Sequence, residues 1–287
     1  MLNGRRMVKT SLIITVYNRS NLIRKALLSL NNQSVKPDEL VLSDDGSDED
    51  IVGVIKDIVR KFNFPVKFVQ QEHKDLRLAK CRNNGIRNAS CNFLIFLDQG
   101  LLHTKNLLRT FIMNQKENRF LTGVPIWLNE ELSLKISEEK IMSENYNFLI
   151  DKNQVESVVK QYKKDKIYYY LHQLKLTNQP RMRGGFCAIN KIDLAKINGY
   201  DEKYIGWGNE DDDVARRLYQ MGAEGYNPFR DEYTIHLFHP PAKEGSTRID
   251  LEYDVTIDKE IKKGKYRCDF GLDNPLDGDS VTITELN

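Results

Sequence analysis

The sequence predicts an α/β fold: a mainly parallel sheet with helices on both faces. Three observations carry this expectation. Short, β-branched apolar runs alternate with amphipathic helical stretches over residues 11–98, the turns between them are short, and the runs end on polar residues. Residues 11–17 read as a buried strand, followed by a helix that Ser20 can cap and whose apolar stripe is Ile23, Ala26, Leu27 and Leu30. Residues 40–42 form a second strand, ending in Asp44, Asp45, Gly46 and Ser47. Asp48 or Ser47 then caps a helix with Ile51, Val54, Ile55, Ile58, Val59 and Phe62 on one face. A strand over 66–69, a helix over 78–89 and a strand over 92–97 closing on Asp98 complete the first half. Parallel sheets bind ligands beyond the carboxyl ends of their strands, so Tyr17, Asp44 and Asp98 are expected along one edge.

The second half is less regular. Residues 129–182 are polar and rich in Lys and Glu, with a helical stretch over 155–174 that carries Tyr168, Tyr169 and Tyr170; this segment reads as an insertion over the site. Strand signals return at 186–189 and 234–238, with helices over 191–197 and after Asp213. Periodicity fades from about 243. The expected domain therefore covers 1–242, with a half over 1–115 and a second over 116–242, and 243–287 is expected to be an appendage.

Composition narrows the function. The 43 Lys+Arg nearly cancel the 41 Asp+Glu, so no global field calls for nucleic acid as a partner. Charge is unevenly placed, however: residues 1–37 hold seven bases and no acid, and residues 38–50 hold seven acids and no base. The apolar runs are too short to span a bilayer. Cys81, Cys91, Cys187 and Cys268 form no CxxC pair, which argues against a zinc knuckle or a dense disulfide framework. A cytoplasmic enzyme is the expectation, with the inner membrane face as a peripheral station.

Several clusters carry chemistry. Asp44-Asp45-Gly46-Ser47 is by composition a turn, although a strand-end carboxylate can also accept from a base or a ribose. Arg77 and Arg82 stand near a helix start, where cations oppose the helix dipole. Diphosphate or base recognition explains them better than helix stabilisation; the plainer alternative is surface pairing with Glu72 and Asp75. Asp98 closes an apolar strand, a costly place for a carboxylate without a ligand or metal. Glu210, Asp211, Asp212 and Asp213 crowd one helix start beyond what capping needs, behind Gly206, Trp207 and Gly208. A general base within this cluster is expected. His236 and His239, three residues apart and followed by Pro240, can share a metal or a diphosphate.

Together and in order, these segments resemble a family 2 glycosyltransferase of the GT-A fold. The resemblance is carried by Ile14-Thr15-Val16-Tyr17-Asn18-Arg19, Leu42-Ser43-Asp44-Asp45-Gly46-Ser47, residues 76–83 and Phe96-Leu97-Asp98. The second half is similar to the galactosyltransferase-type acceptor region through residues 198–202, Gly206-Trp207-Gly208-Asn209-Glu210-Asp211-Asp212-Asp213 and His236-Leu237-Phe238-His239-Pro240. Bacterial chondroitin-type polymerases and β-1,4-galactosyltransferases share this pattern.

The resemblance implies inverting transfer of a hexose or N-acetylhexosamine from a UDP-sugar to a hydroxyl of a glycan or glycoconjugate. It places Thr15, Tyr17 and Arg19 in the nucleotide pocket, Asp44 on the uracil, and Arg77 or Arg82 near uracil or diphosphate. Asp211 takes the position of the base. Glu210 and Trp207 position the acceptor and the donor sugar. Asp98, His236 and His239 are the implied ligands of Mn²⁺ or Mg²⁺. The family's Asp-x-Asp reads Asp98-Gln99-Gly100 here, so the second carboxylate is absent and the cation is expected to bind weakly and to depend on UDP. The same departure supports an alternative: a degenerate, nucleotide- or glycan-binding partner subunit with little activity. A nucleotidyltransferase is disfavoured, because the turn after the first strand lacks the glycine-rich phosphate loop.

Overall fold

The computed structural model describes residues 8–206, 208–240 and 251–287. The first half is the expected alternation: Thr10–Val16 (β1), Ser20–Leu30 (α1), Glu39–Asp44 (β2), Ile51–Val59 (α2), Val66–Gln71 (β3), Leu78–Asn88 (α3) and Phe93–Asp98 (β4). Then come Leu101–Leu102 (β5), Leu107–Met113 (α4), Arg119–Thr122 (β6), Ile126–Trp127 (β7), Glu130–Leu134 (α5), Glu138–Met142 (α6) and Lys152–Gln173 (α7). Phe186–Asn190 (β8), Lys191–Ile197 (α8), Glu210–Gln220 (α9), Glu224–Tyr226 (β9), Ile235–His236 (β10), Leu251–Lys262 (α10) and Val281–Glu285 (β11) follow.

Eight strands form the main sheet in the order β11-β3-β2-β1-β4-β8-β6-β9, and β5, β10 and β7 form a small second sheet. The strands β1 to β4 run parallel, while β8 is antiparallel to both β4 and β6. Alternation along β1 divides its side chains between two cores. Leu12 and Ile14 join Leu27, Leu42, Ile55 and Phe111 on one face; Ile13 joins Val41, Phe96, Ile189 and Leu218 on the other. The register sets Thr15 beside Asp98 and Val16 beside Asp44, so the ends of β1, β2 and β4 lie side by side as expected.

Several boundaries differ from the sequence reading. Neither Asp48 nor Ser47 caps α2; Asp50 does, accepting from the Gly53 N–H at 2.8 Å. Ser20 is the first residue of α1 rather than its cap. The carboxylate of Glu49, distant in sequence, accepts from the N–H groups of Arg19 and Ser20, each at 2.8 Å. The insertion packs on the flank, with α6 against α1 and α7 against β7 and β9. It reaches the β10 exit through Ser133, whose Oγ accepts from the Phe238 N–H at 2.8 Å.

The described part of the tail, residues 251–287, packs on the domain. Its strand β11 pairs antiparallel with β3 at the sheet edge, and α10 packs on α9. Asp277 and Asp279 of the tail pair with Lys74, Arg77 and Lys80 of the first half, a pairing that local periodicity does not encode.

Candidate active site

The turn after β2 separates two adjacent acids. Asp44, fully buried, accepts from the N–H groups of Gly46 (3.0 Å) and Ser47 (2.8 Å), from the Ser47 hydroxyl, and from Gln70 Nε2 (2.9 Å). Four donors thus hold this carboxylate in the turn. Asp45 has fewer donors: Gln71 Nε2 and, at 3.2 Å, the Arg77 N–H. Burial pushes its carboxyl up to about 6 against those donors.

Tyr17 follows β1 and stacks on His73, with centroids 4.6 Å apart, planes within 14°, and the hydroxyl 3.2 Å from Nε2. Gln99 clamps the Tyr17 backbone at both ends, with Oε1 accepting from its N–H (3.3 Å) and Nε2 donating to its carbonyl (3.1 Å). Sequence reasoning missed both His73 and Gln99. The middle residue of Asp98-Gln99-Gly100 is thus a structural clamp. Thr15 is half-buried beside Asp98. Arg19 is left-handed at φ 58° and donates from Nη2 to the Pro240 carbonyl at 3.0 Å, tying the β1 turn to the exit of β10.

The two arginines of the α3 region have different fates. The Arg77 Nη1 donates to Asp277 (2.9 Å) and Asp279 (2.8 Å), and Nη2 donates to the Glu72 carbonyl. Lys80 pairs with Asp277 as well. Arg77 is therefore tied to the tail, and its partners are neither Glu72's carboxylate nor Asp75. Arg82 is buried, donates to Glu210 Oε1 at 2.7 Å, and lies over the Tyr200 ring at 5.2 Å. It joins the first half of the fold to the second.

Each of the four acids of α9 has its own partner, although burial and the Asp211 charge raise the carboxyls of its neighbours Glu210 and Asp212. Glu210 pairs with Arg82. Asp211 Oδ2 accepts from the Gly184 N–H at 2.9 Å. Asp212 pairs with Arg181 at 3.3 Å, and the buried Asp213 pairs with Arg217, which also donates to the carbonyls of Ile197 and Gly199. Asp213 is thus structural. At Glu210 burial raises the carboxyl and Arg82 opposes that shift; its Oε2, like Oδ1 of Asp213, has no hydrogen-bond partner among the described residues. Trp207, expected against the donor sugar, lies outside the described residues.

Gly184 and Gly185, not singled out from sequence, hold the centre of the site. A Cβ on Gly184 would come 2.8 Å from the Arg82 guanidinium, and one on Gly185 would come 1.9 Å from Asp98 Oδ2. The Asp98 N–H donates to the Gly185 carbonyl at 3.0 Å. Asp98 and Asp211 are thus anchored on adjacent residues of one chain segment.

The candidate metal ligands converge only in part. His236 donates from Nδ1 to the Leu237 carbonyl at 2.8 Å in the tautomer that this bond requires, which leaves Nε2 as an acceptor. Its ring stacks on Trp127 at 3.8 Å and lies 5.2 Å from that of His239. Burial lowers its pKa, while the nearby Asp98 charge opposes the shift. Among the described residues no group of three His, Cys, Asp or Glu is placed to hold an ion. A Cβ at Gly100 would come 2.8 Å from His236 Cε1. The His236 ring therefore fills the space that a second carboxylate would enter. The donor set of one carboxylate and two imidazoles suits a divalent cation if phosphate oxygens complete it.

Comparison with known proteins follows this geometry. The family model described as Glycosyl transferase family 2 matches residues 11–196, and the one described as N-terminal domain of galactosyltransferase matches residues 172–240. Chondroitin synthase of Escherichia coli is 27% identical over 269 residues, covering 89% of this chain and 38% of that protein. Hyaluronan synthase of Pasteurella multocida is 25% identical, covering 90% of this chain and 27% of that protein. This chain thus spans well under half of these relatives. Among solved structures, S. aureus TarS 1–349 in complex with UDP-GlcNAc superposes with a TM-score of 0.61 at 18% identity, covering 92% of this chain and 68% of that one. GalNAc-T7 with UDP, GalNAc and Mn²⁺ gives 0.59 at 17%, covering 91% and 50%. These two likenesses speak for the GT-A fold alone. The family match spans well over half of the sequence, and the chain belongs to glycosyl transferase family 2.

Proposed function

We propose that this glycosyltransferase moves a hexose or N-acetylhexosamine from a UDP-sugar to a hydroxyl of a glycan or glycoconjugate, with Asp211 as general base. One observation carries the reading: Asp211 is pinned by the Gly184 N–H, one residue from the glycine that cradles Asp98. That arrangement sets an acceptor-side carboxylate beside the donor-side strand end. Asp211 takes the acceptor proton, the freed oxygen bonds to the anomeric carbon, and the bond to the diphosphate oxygen breaks with its electron pair leaving on UDP. A single displacement of this kind inverts the anomeric centre. Glu210, locked by Arg82, positions Asp211 by fixing the first turn of α9.

The nucleotide is read by Tyr17 and His73 at the base, with Asp45 in place of Asp44 as acceptor for the uracil imide. Thr15 and Arg19 line the same pocket. Asp98, His236 and His239 would hold a divalent cation together with the donor's phosphates, and the bound cation would neutralise charge developing on the leaving diphosphate. The work place is the cytoplasm, at the inner face of the membrane; no helix among the described residues is long and apolar enough to cross it.

Asp211→Asn tests the chemistry. Turnover should fall about a hundredfold or more with UDP affinity nearly unchanged. Near wild-type turnover in a transfer assay would overturn the assignment.

A further inference from the structure

We propose that the exposed face of α7 docks this protein on an anionic lipid bilayer. In the C-terminal half of the helix, Ile167, Tyr170 and Leu174 fall at i, i+3 and i+7 and so share one face, and Leu176 follows just beyond. They are 60%, 58%, 68% and 70% exposed, which no solvated helix needs. Lys175 is left-handed at φ 59°, and the Leu176 N–H closes back on the Leu171 carbonyl at 3.0 Å. This reversal keeps Leu174 and Leu176 on the outside.

Charge around the stripe has one sign. Residues 159–183 hold five Lys and two Arg against a single acid, Asp165, which is buried and paired with Arg183. Lys160, Lys163, Lys164, Lys166 and Lys175 are exposed. Of the neighbouring acids, Glu224 is held by Arg119 and Lys116, Asp212 pairs with Arg181, and Glu156 at the far end of the face lies near Lys152, so the five lysines carry the excess. The whole chain carries only +2, so this patch is a local excess that the rest of the molecule offsets.

Aliphatic side chains ringed by lysines match the boundary between acyl chains and anionic headgroups. A polyanionic glycan would use the lysines and Tyr170, but it gives Ile167, Leu174 and Leu176 nothing to bury against. Residues 177–183 lead from this face to Gly184, so docking would hold the acceptor side of the site close to the lipid surface. The inference deepens the location given above and is independent of its chemistry, because the test contains no sugar.

The full chain is co-sedimented with vesicles of phosphatidylcholine alone and of phosphatidylcholine with one quarter phosphatidylglycerol. Binding should be confined to the anionic vesicles and should weaken at least tenfold in high salt. The combined variant Ile167→Gln, Tyr170→Gln, Leu174→Gln should lose binding at least tenfold, and so should Lys163→Glu, Lys164→Glu, Lys166→Glu. All six positions are at the surface, and equal melting temperatures would establish that the variants fold. No sedimentation with anionic vesicles would overturn the proposal, as would binding that either variant retains. A concentration-dependent dimer that the apolar variant breaks, without vesicle binding, would assign the face to a second copy. Retention on a sulfated polysaccharide without vesicle binding would assign it to a glycan; both outcomes overturn the lipid assignment.

Discussion

The sheet edge beyond β2 and β3 and the cleft between β4 and α9 both began as candidate ligand sites, and the fold treats them in opposite ways. At the first, Asp44 serves its own turn and Arg77 and Lys80 are bound by Asp277 and Asp279 of the tail. At the second, Glu210 keeps an unpartnered oxygen and Asp211 is half-exposed. Charged residues at strand ends and helix starts were common to both regions. What separates them is whether the rest of the chain supplies partners. Cations closed in by the tail's carboxylates are scaffold, whereas a half-exposed acid at the cleft is a candidate for chemistry.

The largest expected effect comes from breaking a scaffold pair inside the second region. Asp213→Asn leaves Arg217 buried without its counter-charge and should destabilise the fold by about 3–5 kcal/mol, seen in denaturant unfolding. If Asp213 were instead a second base, stability would hold and turnover would collapse.

Gly185→Ala comes next. The new methyl would stand 1.9 Å from Asp98 Oδ2, so Asp98 must leave its seat. Overpacking of this kind costs about 1–3 kcal/mol, and transfer should drop more than tenfold. Full activity would mean that Asp98 has no part in the donor site.

A smaller effect distinguishes the two acids of the β2 turn. Asp45 has its carboxyl raised to about 6 by burial, so it charges as pH rises through that value. UDP affinity measured by calorimetry should climb from pH 5 to 7 in the wild type and lose that slope in Asp45→Asn. The stability contribution has the opposite sense. It is fully present below the ordinary aspartate value and lost as pH rises through about 6. A flat affinity profile in the wild type would remove Asp45 from the nucleotide site.

The tail pairs give the smallest change. The cations around Asp279 hold its carboxyl well below the usual range, with Lys74 and Arg77 the main contributors. Its stabilising effect is present above the ordinary aspartate value and disappears as pH falls through the depressed one. Asp279→Asn should therefore lower the melting temperature slightly at pH 7 and leave it unchanged in strong acid. A larger fall in transfer than in melting temperature would show that the tail shapes the nucleotide pocket.

Much of this was legible in the sequence. The alternation over residues 11–98 predicted a mainly parallel sheet with helices on both faces, because buried parallel strands need continuous apolar runs. The acid-laden start of α9 pointed to the cleft, since four adjacent carboxylates exceed what a helix dipole requires. Partners distant in sequence were not legible. Glu49 caps α1, Asp277 and Asp279 bind Arg77, and Gly184 gives room to Arg82; each pairing joins residues that no local pattern connects. The strand β11 was missed for a different reason. Its exposed Thr282, Ile283 and Thr284 lie at an edge, where burial imposes no alternation.

The Gly184–Gly185 pair also bears on motion. One peptide segment holds the N–H of Asp98 through a carbonyl and the carboxylate of Asp211 through an amide, while Arg82 crosses from α3 to Glu210. The strand end and the start of α9 are therefore tied to one another through a single segment and the buried Arg82–Glu210 pair. On the proposed mechanism, the reactants would pass the turns that carry Tyr17 and His73 and the exit of β10. On that mechanism the spacing of Asp98 and Asp211 is a fixed dimension of the fold, and turnover would be gated by how the reactants enter and leave.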